Sequence, residues 1–115
     1  MKYLCLVYSE EKTLHSLPAS PADTECGAYA SSLASDGRLI AGEALHPVET
    51  ASTVRVRNGT VTITDGPFAE TKEQLAGFYL VEAATNEEAL EIAAGIPPAR
   101  VGSIEVRPVR QLDLG

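Results

Sequence analysis

One short segment of the chain places several ionisable side chains beside a rigid turn. It reads Asp65-Gly66-Pro67-Phe68-Ala69-Glu70-Thr71-Lys72-Glu73. Glycine accepts positive φ angles and proline fixes its own φ, so the Asp-Gly-Pro sequence favours a tight turn. Carboxylates held at such a turn can act as acid, base or ligand clamp, which makes Asp65 and Glu70 candidate catalytic residues. The alternative is that Asp65 only shapes the turn, and the sequence leaves both interpretations open.

Histidine, the side chain that titrates nearest neutral pH, occurs only at His15 and His46. His46 is a candidate proton carrier, whereas His15 is expected to be solvated in a polar loop. Their wide separation supports no metal site, and the sequence contains no phosphate-binding glycine loop, G-x-S-x-G, C-x-x-C or H-E-x-x-H motif. We therefore predict no metal and no cofactor.

A small-molecule site usually combines apolar walls with a few polar groups. Phe68 and Tyr79 are candidate walls, Asp65 is a candidate polar clamp, and Arg107 is a candidate anchor for an anion. The alternative for Arg107 is a solvated strand face. No residue pattern identifies a reaction class, so whether the chain is an enzyme stays open.

The composition excludes several classes of partner. The chain has 115 residues, the size of one domain (1–115), with 16 acidic and 9 basic residues and a net charge of −7. That balance argues against nucleic acid and against an anionic membrane surface. Cys5 and Cys26 are expected to be reduced core residues, and no apolar stretch approaches the length of a membrane span. We expect a cytoplasmic location.

Strand and helix patterns alternate along the first half of the chain. Residues 2–8 are apolar nearly throughout, which predicts a strand with both faces buried. Ser20-Pro21 predicts a helix start, with Ser20 as the N-cap, and Gly37 is placed to end that helix. Residues 38–45 predict the second strand.

The second half begins with a hairpin. Residues 53–57 and 60–64 alternate in polarity around Asn58-Gly59, a pair that favours a type I′ turn. A strand follows over residues 77–84, then a helix opened by a capping box at residues 85–88, and a last strand over 103–109. The order β-α-β-(hairpin)-β-α-β predicts a ferredoxin-like α+β domain with an antiparallel sheet.

The two central strands are apolar on both faces, although two helices can cover only one face of the sheet. An exposed apolar sheet face is unfavourable in a monomer, so we predict a homodimer in which a second copy covers it. The alternative is that the segments 9–19 and 46–52 fold back over this face.

The motif around Asp65, continued by Gln74-Leu75-Ala76-Gly77-Phe78-Tyr79, resembles the signature of DGPF proteins within the YCII-related family. The likeness also includes residues 37–42 and 102–108, and with the opening strand it covers nearly the whole chain. The resemblance implies a ferredoxin-like fold that forms a dimeric α/β barrel, and a family whose chemistry is largely uncharacterised.

Some relatives in the wider family carry a histidine–aspartate pair in a cleft, and the resemblance implies that Asp65 stands where that aspartate lies. The histidine expected in the first helix is missing, because Cys26 and Gly27 stand near its place. His46 is the candidate to replace it from a loop. DGPF proteins are also often encoded beside extracytoplasmic-function sigma factors, which implies a regulatory setting.

Two functions from different classes stay open. In the first, the chain binds a small molecule in a cleft near residues 65–68, with or without catalysis. In the second, it is a non-catalytic regulatory protein that associates with an extracytoplasmic-function sigma factor, and its acidic surface would steer a basic partner.

Overall fold

A computed structural model describes residues 1–14 and 16–115, so the prediction for His15 falls outside the described residues. The strands are β1 (Lys2–Ser9), β2 (Leu39–Ala44), β3 (Ser52–Arg57), β4 (Thr60–Asp65), β5 (Gln74–Glu82) and β6 (Ser103–Pro108). The helices are α1 (Glu11–Leu14), α2 (Asp23–Ser35) and α3 (Asn86–Gly95), with short 3-10 turns at Val48–Thr50 and Pro97–Arg100.

Four strands form one antiparallel sheet in the order β2-β5-β1-β6. The predicted central strands, β1 and β5, do lie at its centre, because their uniformly apolar sequences suit positions with neighbours on both sides. The predicted α+β class with an antiparallel sheet is confirmed, and the strand order is compatible with a ferredoxin-like fold. In the described part of the chain, no helix has the length and apolar character to cross a membrane.

The core lies between the sheet and the helices α2 and α3. On β1 every second residue, from Tyr3 to Ser9, is buried, and α2 contributes Leu33 to the same cluster. From α3 come Ala89, Ile92 and Ala93, which recur at helical spacing and so share one face. The buried face of the strand and the buried faces of the two helices therefore pack together in one apolar layer.

The capping box and the hairpin turn are confirmed. Thr85 Oγ1 accepts a hydrogen bond from the amide of Glu88 at 3.1 Å, and the Glu88 carboxylate accepts one from the amide of Ala84 at 3.0 Å. Asn58 and Gly59 have φ angles of 50° and 76°, the two positive values that a type I′ turn requires.

The predicted start of α2 is wrong. The helix begins at Asp23, its N-cap is Ala22, and that residue makes no side-chain capping bond. Ser20 is not the N-cap because its hydroxyl donates instead to the carbonyl of Leu14, which closes the preceding loop. That loop also contains α1, a short helix that the polar sequence of residues 9–19 does not predict.

Both ends of β5 and the burial of one cysteine also differ from the predictions. β5 covers residues 74–82 rather than 77–84, because Gln74 already pairs with Ser9 on β1. Cys5 is buried as predicted, whereas Cys26 is only half-buried, and both thiols are free.

The sheet face opposite the helices is apolar at its centre. Its residues alternate along the strands with those that face the core, and they are half-buried. They are Leu4, Leu6 and Tyr8 on β1 and Phe78 and Leu80 on β5. The strands β3 and β4 pair only with each other, as a separate two-stranded sheet.

Candidate functional site

A cleft of about 440 Å³ opens between α2 and the helix-facing side of the sheet. Its floor is formed by β1, β2 and β5, and its wall by the first half of α2. Leu14 of α1, Pro21 and Pro98 complete the rim. The volume lies in the range of clefts that hold small organic molecules, roughly 300–1,000 Å³.

The cleft exists because small residues face each other across the layer. Gly27 and Ala30 on α2 lie opposite Gly42, Ala44 and Gly77 on the sheet. A Cβ atom at Gly77 would lie 2.6 Å from the carbonyl oxygen of Glu43, so β2 and β5 approach too closely there for any side chain. By contrast, a Cβ at Gly27 would meet nothing within 4 Å, which leaves open space beside the helix.

Five polar residues interrupt the apolar lining, one of them Glu43 on the edge strand β2. Ser9, which is only 2% exposed, lies at the end of β1, and Tyr79 lies on β5. Asp23 and Cys26 contribute from the first turns of α2. Hydroxyl and thiol groups can donate hydrogen bonds, so the cleft combines apolar walls with a small number of donors.

The titration behaviour of these groups follows from their surroundings. Burial, and then the negative charges of Asp23 and Glu25, raise the pKa of the Cys26 thiol above its usual value. Burial also raises the pKa of Tyr79, with smaller effects from Cys26 and Tyr29. Both groups are therefore neutral near pH 7, which suits hydrogen bonding and argues against a thiolate nucleophile.

The rim of the cleft on the α1 side is fixed by one carboxylate and one amide side chain. The Glu11 carboxylate accepts a hydrogen bond from the amide of Val48 at 2.9 Å. The amide of Glu11 donates to Oε1 of Gln74 at 3.0 Å, and Nε2 of Gln74 donates to the carbonyl of Thr71 at 2.7 Å. These contacts hold α1 against the beginning of β5.

The opposite rim is fixed by Arg100. Its guanidinium donates to both carboxylate oxygens of Glu25 on α2, one at 2.8 Å, and to the carbonyl of Ala19 at 3.0 Å. The hydrogen bond from Arg100 lowers the pKa of the Glu25 carboxyl. Arg100 lies two residues after Pro98 in the same 3-10 turn, so these hydrogen bonds connect that turn to the start of α2.

Of the predicted ligand-binding residues, the structure places Tyr79 in the cleft. Asp65 ends β4 and is exposed, and Phe68 is 80% exposed. Arg107 lies on the opposite face of the sheet, where it pairs with Leu4 across the strands and donates to the Glu105 carboxylate at 3.3 Å. The structure does not bring these three residues together with Tyr79.

The predicted acid–base candidates lie at the surface. His46 is exposed and follows Leu45, a residue of the cleft rim, while Glu70 is exposed beyond the turn. The turn itself is tied to β3, because the amide of Gly66 donates to the carbonyl of Ala51 at 2.7 Å and Thr53 Oγ1 donates to the Gly66 carbonyl at 2.9 Å. These bonds give the motif a structural role at the base of the hairpin.

Within residues 1–14 and 16–115, no three His, Cys, Asp or Glu side chains are grouped as ligands for a metal ion.

Several residues of the site were missed by the sequence analysis. Gly42 and Gly77 interrupt two strands, and glycine inside a strand often marks a close approach of another backbone or of a ligand. Gly27 interrupts a helix in the same way. These three glycines were the available signal. The sequence gives no signal for Ser9 or Gln74, because their roles depend on which helix packs against the ends of β1 and β5.

The comparison with protein families identifies one family for this chain. The sequence model of the YCII-related domain matches residues 1–113. An uncharacterized protein of Rhizobium meliloti (strain 1021) is 47% identical over 75 residues, which is 64% of this chain and 60% of that protein. The match therefore covers less than two thirds of the relative's length.

Proposed function

The chain belongs to the YCII-related family, and on that premise we propose that it binds a small, largely apolar molecule in the cleft between α2 and the sheet. The observation that carries the proposal is the cleft itself, whose volume results from glycine and alanine on both facing surfaces. A mostly apolar cleft of about 440 Å³ with a few polar groups is the usual form of a small-molecule site.

The lining indicates the chemistry of that occupant. Among the described residues that line the cleft there is no lysine, arginine or histidine, and the charged ones are the acids Asp23 and Glu43. Arg100, at the rim, is already paired with the Glu25 carboxylate. An anion would therefore find no opposite charge there. The neutral hydroxyls of Ser9 and Tyr79 and the neutral thiol of Cys26 can donate to an acceptor such as a carbonyl oxygen. An uncharged apolar molecule with one or two acceptors fits best.

A screen with probes of matched size tests the proposal. Aryl ketones, arylamines and aryl carboxylates of equal size are compared by thermal shift, since a ligand that binds only the folded state raises its stability. We expect the ketones to raise the melting temperature most, with amide chemical-shift changes concentrated at Cys26, Ala30 and Tyr79. If no probe class binds, or if the changes cluster at residues 65–68, the cleft is not the site.

We also propose that two chains pair through the open sheet face. The half-buried Leu4, Leu6 and Leu80 support this, because a second copy can cover the face with the same residues. Sedimentation at micromolar concentration should then give twice the chain mass of 12.1 kDa. The free thiols of Cys5 and Cys26 support a reducing compartment such as the cytoplasm.

The regulatory alternative is supported by the acidic charge of −7, which favours a basic protein partner such as a sigma factor. Asp65 stays a candidate functional residue under either function. Two results together would favour the alternative: a pull-down with this chain as bait recovers a sigma factor, and no probe in the screen binds the chain.

A further inference from the structure

Ser9 places a buried hydroxyl at the floor of the cleft. It is the last residue of β1, it lies on the same strand face as the core residues Cys5 and Val7, and it is only 2% exposed. It also lines the cleft. Serine is mostly found at protein surfaces, and a buried hydroxyl is normally hydrogen-bonded. The partner of this hydroxyl is therefore the first question that its position raises.

The Ser9 hydroxyl has no hydrogen-bond partner among residues 1–14 and 16–115. No unpaired polar side-chain atom in this part of the chain is wholly enclosed, so the Ser9 oxygen is reached from the cleft. The residue opposite on β5 is Gln74, and its side chain is already engaged. Its Oε1 accepts from the amide of Glu11, and its Nε2 donates to the carbonyl of Thr71. The hydroxyl is thus left for whatever enters the cleft.

An irregularity in the sheet leaves room beside Ser9. Val7 pairs with Gly77 whereas Tyr8 pairs with Leu75, so Ala76 is an extra residue on β5 without a partner on β1. Such bulges are frequent next to binding sites, where they redirect side chains. Ala76 and Gly77 both line the cleft, and neither carries more than a methyl group. The space next to the Ser9 hydroxyl therefore stays open.

The other two donors lie in a different part of the cleft. Tyr79 pairs with Cys5, four residues before Ser9, so its backbone is roughly 13 Å from that of Ser9. Cys26 contributes to the raised pKa of Tyr79, so these two groups are neighbours. Both are half-buried and can keep a hydrogen bond to water when the cleft is filled. Ser9 loses its access to water, and an unpaired buried donor is costly.

The geometry points to Ser9 as the residue that selects carbonyl compounds. Its hydroxyl donates a hydrogen bond to the carbonyl oxygen of the bound molecule, and the apolar body of that molecule lies along the cleft floor toward Tyr79. A site with a buried donor rejects a similar molecule that lacks the acceptor, because the donor is then left unpaired. This inference rests on the proposed function and names the residue that sets its ligand class.

A matched pair of ligands tests the role of Ser9. α-Tetralone and tetralin differ only by a carbonyl in place of a methylene group. Their affinities are measured by chemical-shift titration for the wild type, for Ser9→Ala and for the control Ser35→Ala, which changes an exposed serine on α2 outside the cleft. In the wild type and the control, we expect α-tetralone to bind about tenfold or more tightly than tetralin. In Ser9→Ala, this preference should fall below about threefold.

The titrations separate this inference from the proposed function. An undiminished preference for α-tetralone in Ser9→Ala overturns the role of Ser9 and leaves the cleft proposal. If neither ligand binds to any of the three proteins, both proposals are overturned.

Stability and infrared measurements separate recognition from a role in the fold. Because the hydroxyl has no partner in the described part of the chain, Ser9→Ala should keep the melting temperature of the wild type or raise it. A marked loss of stability would show that the hydroxyl holds the fold, and it overturns the inference. The carbonyl stretch of bound, isotope-labelled α-tetralone should lie at lower frequency in the wild type and Ser35→Ala than in Ser9→Ala, since hydrogen bonding weakens the bond. Equal frequencies in all three proteins also overturn it.

Discussion

The ring of Tyr29 on α2 lies against the ring of Tyr79 on β5, with centroids 6.4 Å apart and planes tilted by 59°. The Tyr29 hydroxyl also donates a hydrogen bond of 2.6 Å to the carbonyl of Ile92 on α3. One side chain therefore connects both helices to the central strand that forms the cleft floor. The position of α2, and with it the width of the cleft, depends on this contact.

Removing the hydroxyl should loosen the two helices. Tyr29→Phe keeps the ring contact with Tyr79 but leaves the Ile92 carbonyl without this donor. We expect the free energy of unfolding to fall by about 1–2 kcal/mol. The control is Tyr3→Phe, since that hydroxyl has only a weak contact with the Met1 sulfur at 3.9 Å. Equal losses in urea denaturation of the two variants would contradict the role given to Tyr29.

Two glycine-to-alanine substitutions should change stability in opposite directions. Gly27→Ala adds a Cβ in open space and improves helix propensity, so we expect a gain of up to about 1 kcal/mol. Gly95 is the last residue of α3, where the propensity gain is smaller, and a Cβ there would lie against the Tyr29 ring, with two ring carbons at 2.8 Å, so we expect Gly95→Ala to lose stability. Thermal denaturation of both variants measures the difference. A gain at Gly95 would show that α3 moves freely against Tyr29.

The buried thiol of Cys5 should make stability depend on alkaline pH. Burial raises its pKa from 9.0 to about 11, so the folded state holds this proton more tightly than the unfolded state. The resulting stabilisation is complete below pH 9.0 and is lost as the pH rises through about 11. Urea denaturation over this range should show a steeper fall for the wild type than for Cys5→Ala. Parallel curves would mean that Cys5 does not titrate in this way.

The elements with local signals were predictable from the sequence. The capping box at Thr85 and the turn at Asn58-Gly59 each depend on a few neighbouring residues, and the structure confirms both. The start of α2 was not predictable from Ser20 because its hydroxyl has a competing acceptor, the Leu14 carbonyl, in a loop whose shape the sequence does not specify.

The cleft was harder to predict because it depends on the absence of large side chains from the facing surfaces of α2 and the sheet. Cys26 and Ala30 fit an apolar helical stripe, and that pattern is the same whether the stripe meets side chains or an empty space. Only the packing of α2 over Gly42 and Gly77 shows that a space remains. The sequence analysis instead gave weight to the ionisable groups near Asp65, which the structure places at the base of the hairpin.

Asp65→Asn tests whether that motif takes part in binding. Asparagine keeps the shape and turn preference of aspartate but removes its charge. Since Asp65 does not line the cleft, we expect the affinity for a ketone from the screen to change less than about twofold, which is under 0.5 kcal/mol. Isothermal titration calorimetry measures it. A tenfold loss of affinity with an unchanged melting temperature would show that Asp65 takes part in binding.

The most direct measurement of the cleft proposal compares two substitutions at Gly27. Gly27→Leu extends a side chain from α2 into the open space, whereas Gly27→Ala adds a single methyl group and serves as the matched control. Both replace glycine in the same helix, so both should remain folded. Calorimetric titration with the best ketone probe should show binding near the wild-type affinity for Gly27→Ala and a loss of about tenfold or more for Gly27→Leu. Equal affinity in the two variants would show that the ligand lies elsewhere and would contradict the proposed site.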